Sequence, residues 1–218
     1  MLLFGAAIVP GAWLLHPLNL GQDKLLLTLV YLWALTQIAA LLPIRWTHGN
    51  QYMYDPLLVA TGLIAPGAGV AVIAWLALFD GRMPGRDSPW WALAFNRANQ
   101  AIDNAIPSLV VAAIPTGEDW WTLPTKTVVY VVVHLVLNYS IVAKVLSIVN
   151  RTSFWATLSQ NVGTSTLTST MLLSFSGGIL YLFLQPRMGP VGFFMPPVLF
   201  GFLLAATAHV PDAPRLPH

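Results

Sequence analysis

Cysteine is absent from this sequence, and charged residues are scarce. The lack of Cys among 218 residues excludes disulfide bonds, thiolate catalysis and cysteine-based metal sites. Only 8% of the residues are charged, against about 25% in a typical soluble domain. The formal net charge of +2 is too small to indicate a nucleic-acid partner. Apolar residues make up 56% of the chain, and its mean hydropathy is +0.69.

Long apolar runs separated by short polar segments predict an all-α fold that is embedded in a lipid bilayer. About seven or eight membrane spans fit the length of the chain, and some of them are short or broken. We expect one transmembrane helical domain over residues 1–210 and a short cytoplasmic tail over residues 211–218. The predicted segments are Leu2–Leu15, Lys24–Ile44, Pro56–Phe79, a helix from about Trp90 to Ile114, Thr127–Ile148, Arg151–Gln185 and Gly189–Val210.

Two of these segments leave alternatives open. Leu2–Leu15 is short and is interrupted by Pro10-Gly11, so that it either spans the membrane or lies partly in it. Pro56–Phe79 contains Ala65-Pro66-Gly67 and is either one kinked span or two short helices of about 15 Å each. Elsewhere, a small hairpin through Gly49-Asn50 and a bend at Ser176-Gly177-Gly178 are expected.

The distribution of Lys and Arg predicts the orientation of the chain. Five of them fall on one common side for either span count, namely Arg82, Arg86, Lys144, Arg151 and Arg215. An excess of Lys and Arg marks the cytoplasmic side of a membrane. We therefore expect a multi-pass protein of the cell inner membrane, with loop 80–94, the turn at 149–153 and the C-terminus in the cytoplasm. Trp120-Trp121 would then lie at the outer interface.

The stretch FNRANQAIDNAIP, residues 95–107, is unusually polar for a membrane helix. At 100° per residue, Asn96, Gln100 and Asp103 fall in one narrow stripe, with Asn99 and Asn104 on its flanks. Lipid cannot satisfy such groups, so this face is predicted to point inward.

Later helices offer partners for this stripe. Tyr130, His134 and Asn138 follow one another at i, i+4 and i+8 along the span 127–148, and Asn161 lies in the next helix. We expect His134, Asn138 and Asn161 to meet the stripe. The resulting polar core either holds helices together through hydrogen bonds or faces a ligand or carries a signal.

The pair His134-x-x-x-Asn138 is similar to part of the pattern of intramembrane CAAX-type proteases. Those enzymes also need paired glutamates to activate water, whereas the single glutamate here, Glu118, lies in a predicted loop. The five histidines show no H-x-x-x-H or H-x-x-E-H spacing. We therefore predict a protein that is not an enzyme and that holds no metal and no cofactor.

Three stretches in order carry a resemblance to a known family. They are the apolar hairpin DPLLVATGLIAPGAGVAVIAWLALF, the helix that opens at Phe95-Asn96 after a basic loop, and the span VVYVVVHLVLNYSIVAKVLS. Together they resemble the multi-spanning membrane-associated sensor region that precedes bacterial diguanylate cyclases and HD-type phosphohydrolases. The resemblance implies a helical sensor of a small molecule or a membrane state.

Such a sensor passes its signal to a cytoplasmic output domain, but only eight residues follow Val210 here. We therefore expect either that the output is a separate protein, bound at the cytoplasmic face, or that the chain is an orphan sensor domain with another role. Two alternatives stay open. The chain is also similar in size and in its broken helices to the substrate-capture subunits of energy-coupling-factor transporters, and a structural subunit of a larger membrane complex is compatible with the same composition.

Overall fold

A computed structural model describes residues 23–41, 43–46, 49–52, 54–77, 89–115, 120–161 and 164–184. The elements in these ranges are α1 (Asp23–Ala40), β1 (Pro43–Trp46), β2 (Gly49–Tyr52), α2 (Asp55–Ile64), α3 (Ala68–Ala77), α4 (Trp90–Ala112), α5 (Thr122–Val149), α6 (Phe154–Asn161) and α7 (Thr164–Leu184). The predicted helical class is confirmed for this part of the chain, apart from one short hairpin. Predictions for Leu2–Leu15, Gly189–Val210, the tail and most of loop 80–94 concern residues outside these ranges.

Length and hydropathy single out one helix in the described part of the chain as able to cross a membrane. This helix is α5, which has 28 residues. Two shorter apolar helices accompany it, over Leu25–Ala40 and Asp55–Ile64. The finer prediction of seven or eight spans goes beyond this finding.

The hairpin forms, but its predicted turn is wrong. β1 and β2 pair antiparallel, with Trp46 opposite Gly49 and Arg45 opposite Asn50. Gly49 and Asn50 therefore belong to the second strand, because the last pair of the ladder leaves only two residues to connect the strands.

The ambiguous segment 56–79 forms two helices of ten residues each, α2 and α3. The chain breaks between them because Pro66 has no N–H group to continue the helix. Gly67 has a positive φ of 70°, a conformation that glycine adopts without steric cost. The N–H of Val70 donates to the carbonyl of Ala65 at 3.1 Å, so the break retains one wide turn.

α4 lies in the middle of the described helices and packs against α2, α3 and α5. Three small residues, Ala98, Ala101 and Ala105, are buried along it and let its neighbours approach closely. α1 packs against α2 and α3, and α7 packs against α2 and α5. This central position puts the polar stretch of the sequence inside the bundle.

α7 is helical without interruption through Ser176-Gly177-Gly178, so the bend expected there does not break the helix. The glycines instead allow close packing. A Cβ atom at Gly177 would lie 2.6 Å from the carbonyl oxygen of Pro56, and one at Gly178 would lie 2.5 Å from Oγ1 of Thr127. The predicted helix 151–185 is likewise divided, into α6 and α7.

A group of buried apolar side chains, here called the apolar cluster, joins α1, α2, α3 and α7. Its buried members are Leu29, Leu32, Ala39, Ala40, Tyr54, Leu57, Leu58, Ala60, Ala65, Val70, Ile73, Ala74 and Leu180. The interface between α4 and α5 has a different composition, which the next section describes.

Candidate functional site

Six polar residues pair across the interface of α4 and α5, five of them through their side chains and Asp103 through its backbone carbonyl. We call them the polar ladder: Asn104 with Tyr130, Asp103 with His134, and Asn99 with Asn138. The residue numbers rise along α5 as they fall along α4, so the two helices are antiparallel. The i, i+4, i+8 spacing on α5 aligns its three residues on one face of the helix, and that face meets the polar face of α4.

The first pair joins Tyr130 to Asn104. The Tyr130 hydroxyl lies 3.0 Å from Oδ1 of Asn104 and 3.2 Å from the backbone carbonyl of the same residue, either of which can accept its proton. Both side chains are fully buried. Gly62 of α2 makes room for the tyrosine, because a Cβ atom there would lie 2.5 Å from the ring. The ladder therefore depends on close packing of a third helix.

The second pair joins His134 to Asp103. It forms at a place where a proline removes a helical hydrogen bond. Pro107 lies inside α4 and has no N–H, so the Asp103 carbonyl four residues earlier receives no helical hydrogen bond from it. Nδ1 of His134 lies 2.9 Å from that carbonyl oxygen. Because a carbonyl only accepts, Nδ1–H is the donor. The imidazole thus replaces the helical hydrogen bond that the proline removes.

The third pair joins Asn138 to Asn99. Nδ2 of Asn99 donates to Oδ1 of Asn138 at 2.9 Å and also lies 3.4 Å from Oδ2 of Asp103. Asn99 is buried, whereas Asn138 is half-buried. The Oδ1 atom of Asn99 accepts no hydrogen bond from any described residue. This end of the ladder is therefore less completely satisfied than the other.

Asp103 is fully buried without a Lys or Arg at ion-pair distance among the described residues. Its Oδ1 accepts a hydrogen bond from Nδ2 of Asn104 at 2.8 Å and lies 4.0 Å from Nδ1 of His134. The carboxyl of Asp55, at the start of α2, is near enough to act on it electrostatically. Amide donors rather than cations surround this acidic group. A charge in such a place is costly and is a functional hypothesis by default.

A separate contact ties α4 to the break between α2 and α3. The N–H of Gly67, which has left the helical pattern, donates to Oγ of Ser108 at 2.8 Å. The Ser108 hydroxyl in turn donates to the carbonyl of Ala105 at 2.7 Å. Both groups are buried, so an unpaired N–H at this place would be costly. α4 thus satisfies the break in its neighbour as well as pairing with α5.

The eight predicted site residues lie in different environments. His134 and Asn138 lie against the polar stretch of α4, and Asn99, Asp103 and Asn104 are buried there. The side chain of Asn161 lies outside the described residues. Gln100 is half-buried, and its Oε1 lies 3.3 Å from Nδ2 of Asn104.

Asn96 contradicts the prediction that it faces inward, because it is exposed. Burial of α4 begins only at Ala98, and the residues before it are half-buried or exposed. A helical wheel gives the direction of a side chain but not how closely the neighbouring helices cover it.

Three residues of the site were not among the predicted ones: Tyr130, Pro107 and Ser108. Tyr130 shares the spacing of His134 and Asn138, which was a usable signal. Pro107 stands four residues after Asp103, so the sequence alone showed that this carbonyl lacks its usual donor. The contact between Ser108 and Gly67 had no signal, since the two residues are 41 positions apart.

The chemistry available at this site is hydrogen-bond exchange. No group of three His, Asp or Glu side chains that could hold a metal ion occurs in the described ranges. Asn, Asp, His and Tyr side chains can each change partners by rotating about one or two bonds.

No protein family, curated protein or solved structure matches the chain. Its function is therefore argued from the site itself.

Proposed function

We propose that the chain is a multi-pass protein of the cell inner membrane that senses a small molecule or a membrane state and signals to a separate cytoplasmic protein. The placement of apolar side chains supports the membrane part of this proposal. α5 buries Tyr130 and His134, yet Val128, Val132 and Val136 on another face are 45%, 49% and 61% exposed. A helix in water presents the opposite arrangement. Lipid is the solvent that suits an apolar exterior and a polar interior.

The exposed tryptophans support the same placement. Trp90 and Trp91 begin α4, and Trp155 lies near the start of α6, just beyond the end of α5. Because α4 and α5 are antiparallel, these three lie at one end of the bundle, and Trp120-Trp121 lie at the other. The 28 residues of α5 measure about 42 Å, close to the ~40–45 Å of a bilayer with its head groups. Tryptophans at both ends fit the two interfaces.

The polar ladder is the observation that supports the proposed signalling role. Close-packed apolar side chains resist displacement, whereas a hydrogen-bonding group that faces several acceptors can move between discrete arrangements. Asn99 and Asn104 each face more than one acceptor, so alternative pairings are close at hand. The Asp103 carboxyl faces the Asn99 amide that pairs with Asn138 of α5, so a stimulus that changes the bonding of Asp103 would shift α4 against α5. The resemblance to membrane-associated sensor regions accords with this role.

The cytoplasmic partner can be tested by site-specific crosslinking, because the native chain has no Cys that would interfere. Asn150→Cys lies at the end of α5 that we assign to the cytoplasm, and Trp120→Cys lies at the opposite end. With a photoreactive label in native membranes, the proposal expects a protein adduct from Asn150→Cys and none from Trp120→Cys. Asp103→Asn should change the yield of that adduct. Adducts with lipid alone at both sites would contradict a protein partner.

One observation favours a second candidate, a substrate-capture subunit of a small-molecule transporter. The break at Ala65–Gly67 lies against the polar helix α4 through Ser108. Discontinuous helices beside polar residues form substrate sites in many transporters. Such a subunit would bind a solute tightly and co-purify with an ATPase pair. A structural subunit would do neither, so co-purification in mild detergent separates the three roles.

A further inference from the structure

We propose that the junction of α5 and α6 binds one anionic phospholipid, with an acyl chain in a groove and the phosphate at Lys144 and Arg151. The groove is open and has a volume of about 520 Å³. Its lining consists of Ser140, Ile141, Lys144 and Val145 of α5 and Phe154 of α6. Apart from one hydroxyl and one ammonium group, these side chains are apolar. Their combination matches the chemistry of a phospholipid, which has a long apolar chain and an anionic head.

Two cations stand near the end of α5, one of them in the lining of the groove. Lys144 stands in the last two turns of α5, and Arg151 stands two residues beyond its end, and both are exposed. Ile148 and Trp155, which are 65% and 73% exposed, flank them in the chain. Exposed aliphatic side chains beside a tryptophan and cations are typical of the membrane–water boundary. A phosphate that belongs to a lipid therefore fits this surface better than a free phosphate ion.

The backbone at Arg151 has an uncommon conformation. Its φ of 53° is left-handed, and Arg151 alone among the described non-glycine residues has a positive φ. The N–H of Thr152 donates to the Ser147 carbonyl at 3.0 Å, and the N–H of Arg151 lies 3.4 Å from the Ile148 carbonyl. This is a Schellman ending, in which glycine usually occupies the left-handed position. An arginine in this position carries a conformational cost that glycine would avoid.

Another explanation for these cations is that they stabilise the carboxyl end of α5 by interacting with its dipole. That explanation requires no groove and no lipid. The two accounts differ in what happens when the groove is filled while both charges stay in place. The lipid site rests on the membrane placement proposed above, but it does not depend on the sensing role or on the polar ladder.

The test uses the full chain in nanodiscs of equal parts phosphatidylglycerol and phosphatidylcholine with identical acyl chains. Native mass spectrometry of the released protein counts the retained lipids. We expect one phosphatidylglycerol on the parent. The retained amount should fall about fivefold for Lys144→Gln and about 25-fold for Lys144→Gln with Arg151→Gln, following the usual gain per cation near an anionic surface. Lys126→Gln is the matched control at the other end of the same helix and should change nothing.

Val145→Trp and Ile141→Trp fill the groove from two positions and keep both cations, so each should also release the lipid. If both variants retain phosphatidylglycerol, the acyl chain does not occupy the groove and the cations only attract lipid head groups. That result would overturn the proposed site. An equal loss with Lys126→Gln would overturn the site as non-specific. Vesicle flotation of every variant checks the membrane placement separately. A parent chain that does not float with vesicles would contradict that placement, and the lipid site with it.

Discussion

α1, α2, α3 and α7 meet through leucines, alanines and glycines, whereas α4 and α5 meet through amides, a carboxyl, a phenol and an imidazole. In the apolar cluster, Leu57 and Leu58 are fully buried, and Gly177 lets α7 touch the backbone of α2. Those contacts depend on shape and are lost gradually as helices separate. The polar ladder depends on donors and acceptors at fixed distances.

Two prolines break the helical hydrogen bonds of the described chain, one inside α4 and one between two helices of the apolar cluster, and polar side chains of α4 and α5 satisfy both breaks. Pro107 interrupts the hydrogen bonds of α4, and Pro66 separates α2 from α3. His134 and Ser108 satisfy the groups beside these prolines. The contrast suggests that the apolar cluster acts as a fixed frame and that the ladder can change its arrangement. The following predictions test this contrast, from the largest expected effect to the smallest.

The apolar cluster should lose most from a cavity. Leu57→Ala removes three buried carbons from a fully buried side chain, and we expect a loss of about 2–5 kcal/mol in the free energy of unfolding. Leu27→Ala is the control, because Leu27 is 69% exposed on α1. Unfolding in mixed micelles with increasing SDS measures both. Equal losses for the two variants would show that the cluster is not a packed core.

Overpacking should destabilise the contact between α2, which belongs to the apolar cluster, and Tyr130 of the polar ladder. Gly62→Ala puts a methyl group 2.5 Å from the Tyr130 ring, and we expect a loss of about 1–3 kcal/mol. Tyr130→Leu removes the ring, so the double variant should lose less than the sum of the two single variants. The same SDS titration measures this coupling. Strictly additive losses in the free energy of unfolding would mean that the Tyr130 ring does not require a glycine at position 62.

The ladder should respond to the chemistry of a side chain more than to its size. Asp103→Leu removes one acceptor from each of the buried amide groups of Asn99 and Asn104, which should lower the free energy of unfolding by about 1–3 kcal/mol. Asp103→Asn keeps an acceptor of the same shape and should stay within about 0.5 kcal/mol of the parent. A large loss with Asp103→Asn would indicate that the carboxyl itself holds the helices together.

The smallest effect tests the link between His134 and Pro107. His134→Phe leaves the Asp103 carbonyl without a donor, and we expect a loss of about 1 kcal/mol. Pro107→Ala restores an N–H in α4 that can reach the same carbonyl. In that background His134→Phe should cost much less. A cost that is unchanged by Pro107→Ala would contradict the idea that the imidazole replaces the missing helical bond.

The sequence was sufficient to predict features that depend on local spacing. The face shared by Tyr130, His134 and Asn138 follows from positions in one element, and the position of the interruption at Ala65-Pro66-Gly67 does too, although a kink and a full break were both open. It was not sufficient where a neighbour decides the outcome. Asn96 is exposed although it shares the face of Gln100 and Asp103, and Gly177-Gly178 are buried at close contacts of α7 with α2 and α5. The contact of Ser108 with Gly67 required the tertiary fold.

The most direct test of the account is the distance between α4 and α5 when Asp103 changes. Spin labels at Trp91→Cys and Ile148→Cys report on the ladder, since both positions are exposed at the same end of the two helices. Labels at Leu27→Cys and Leu182→Cys report on α1 and α7 of the frame. Double electron–electron resonance in nanodiscs gives both distance distributions, with and without Asp103→Asn. The account predicts that Asp103→Asn redistributes the α4–α5 distance and leaves the α1–α7 distance unchanged. Two unchanged distributions would contradict it and would make the ladder a passive contact.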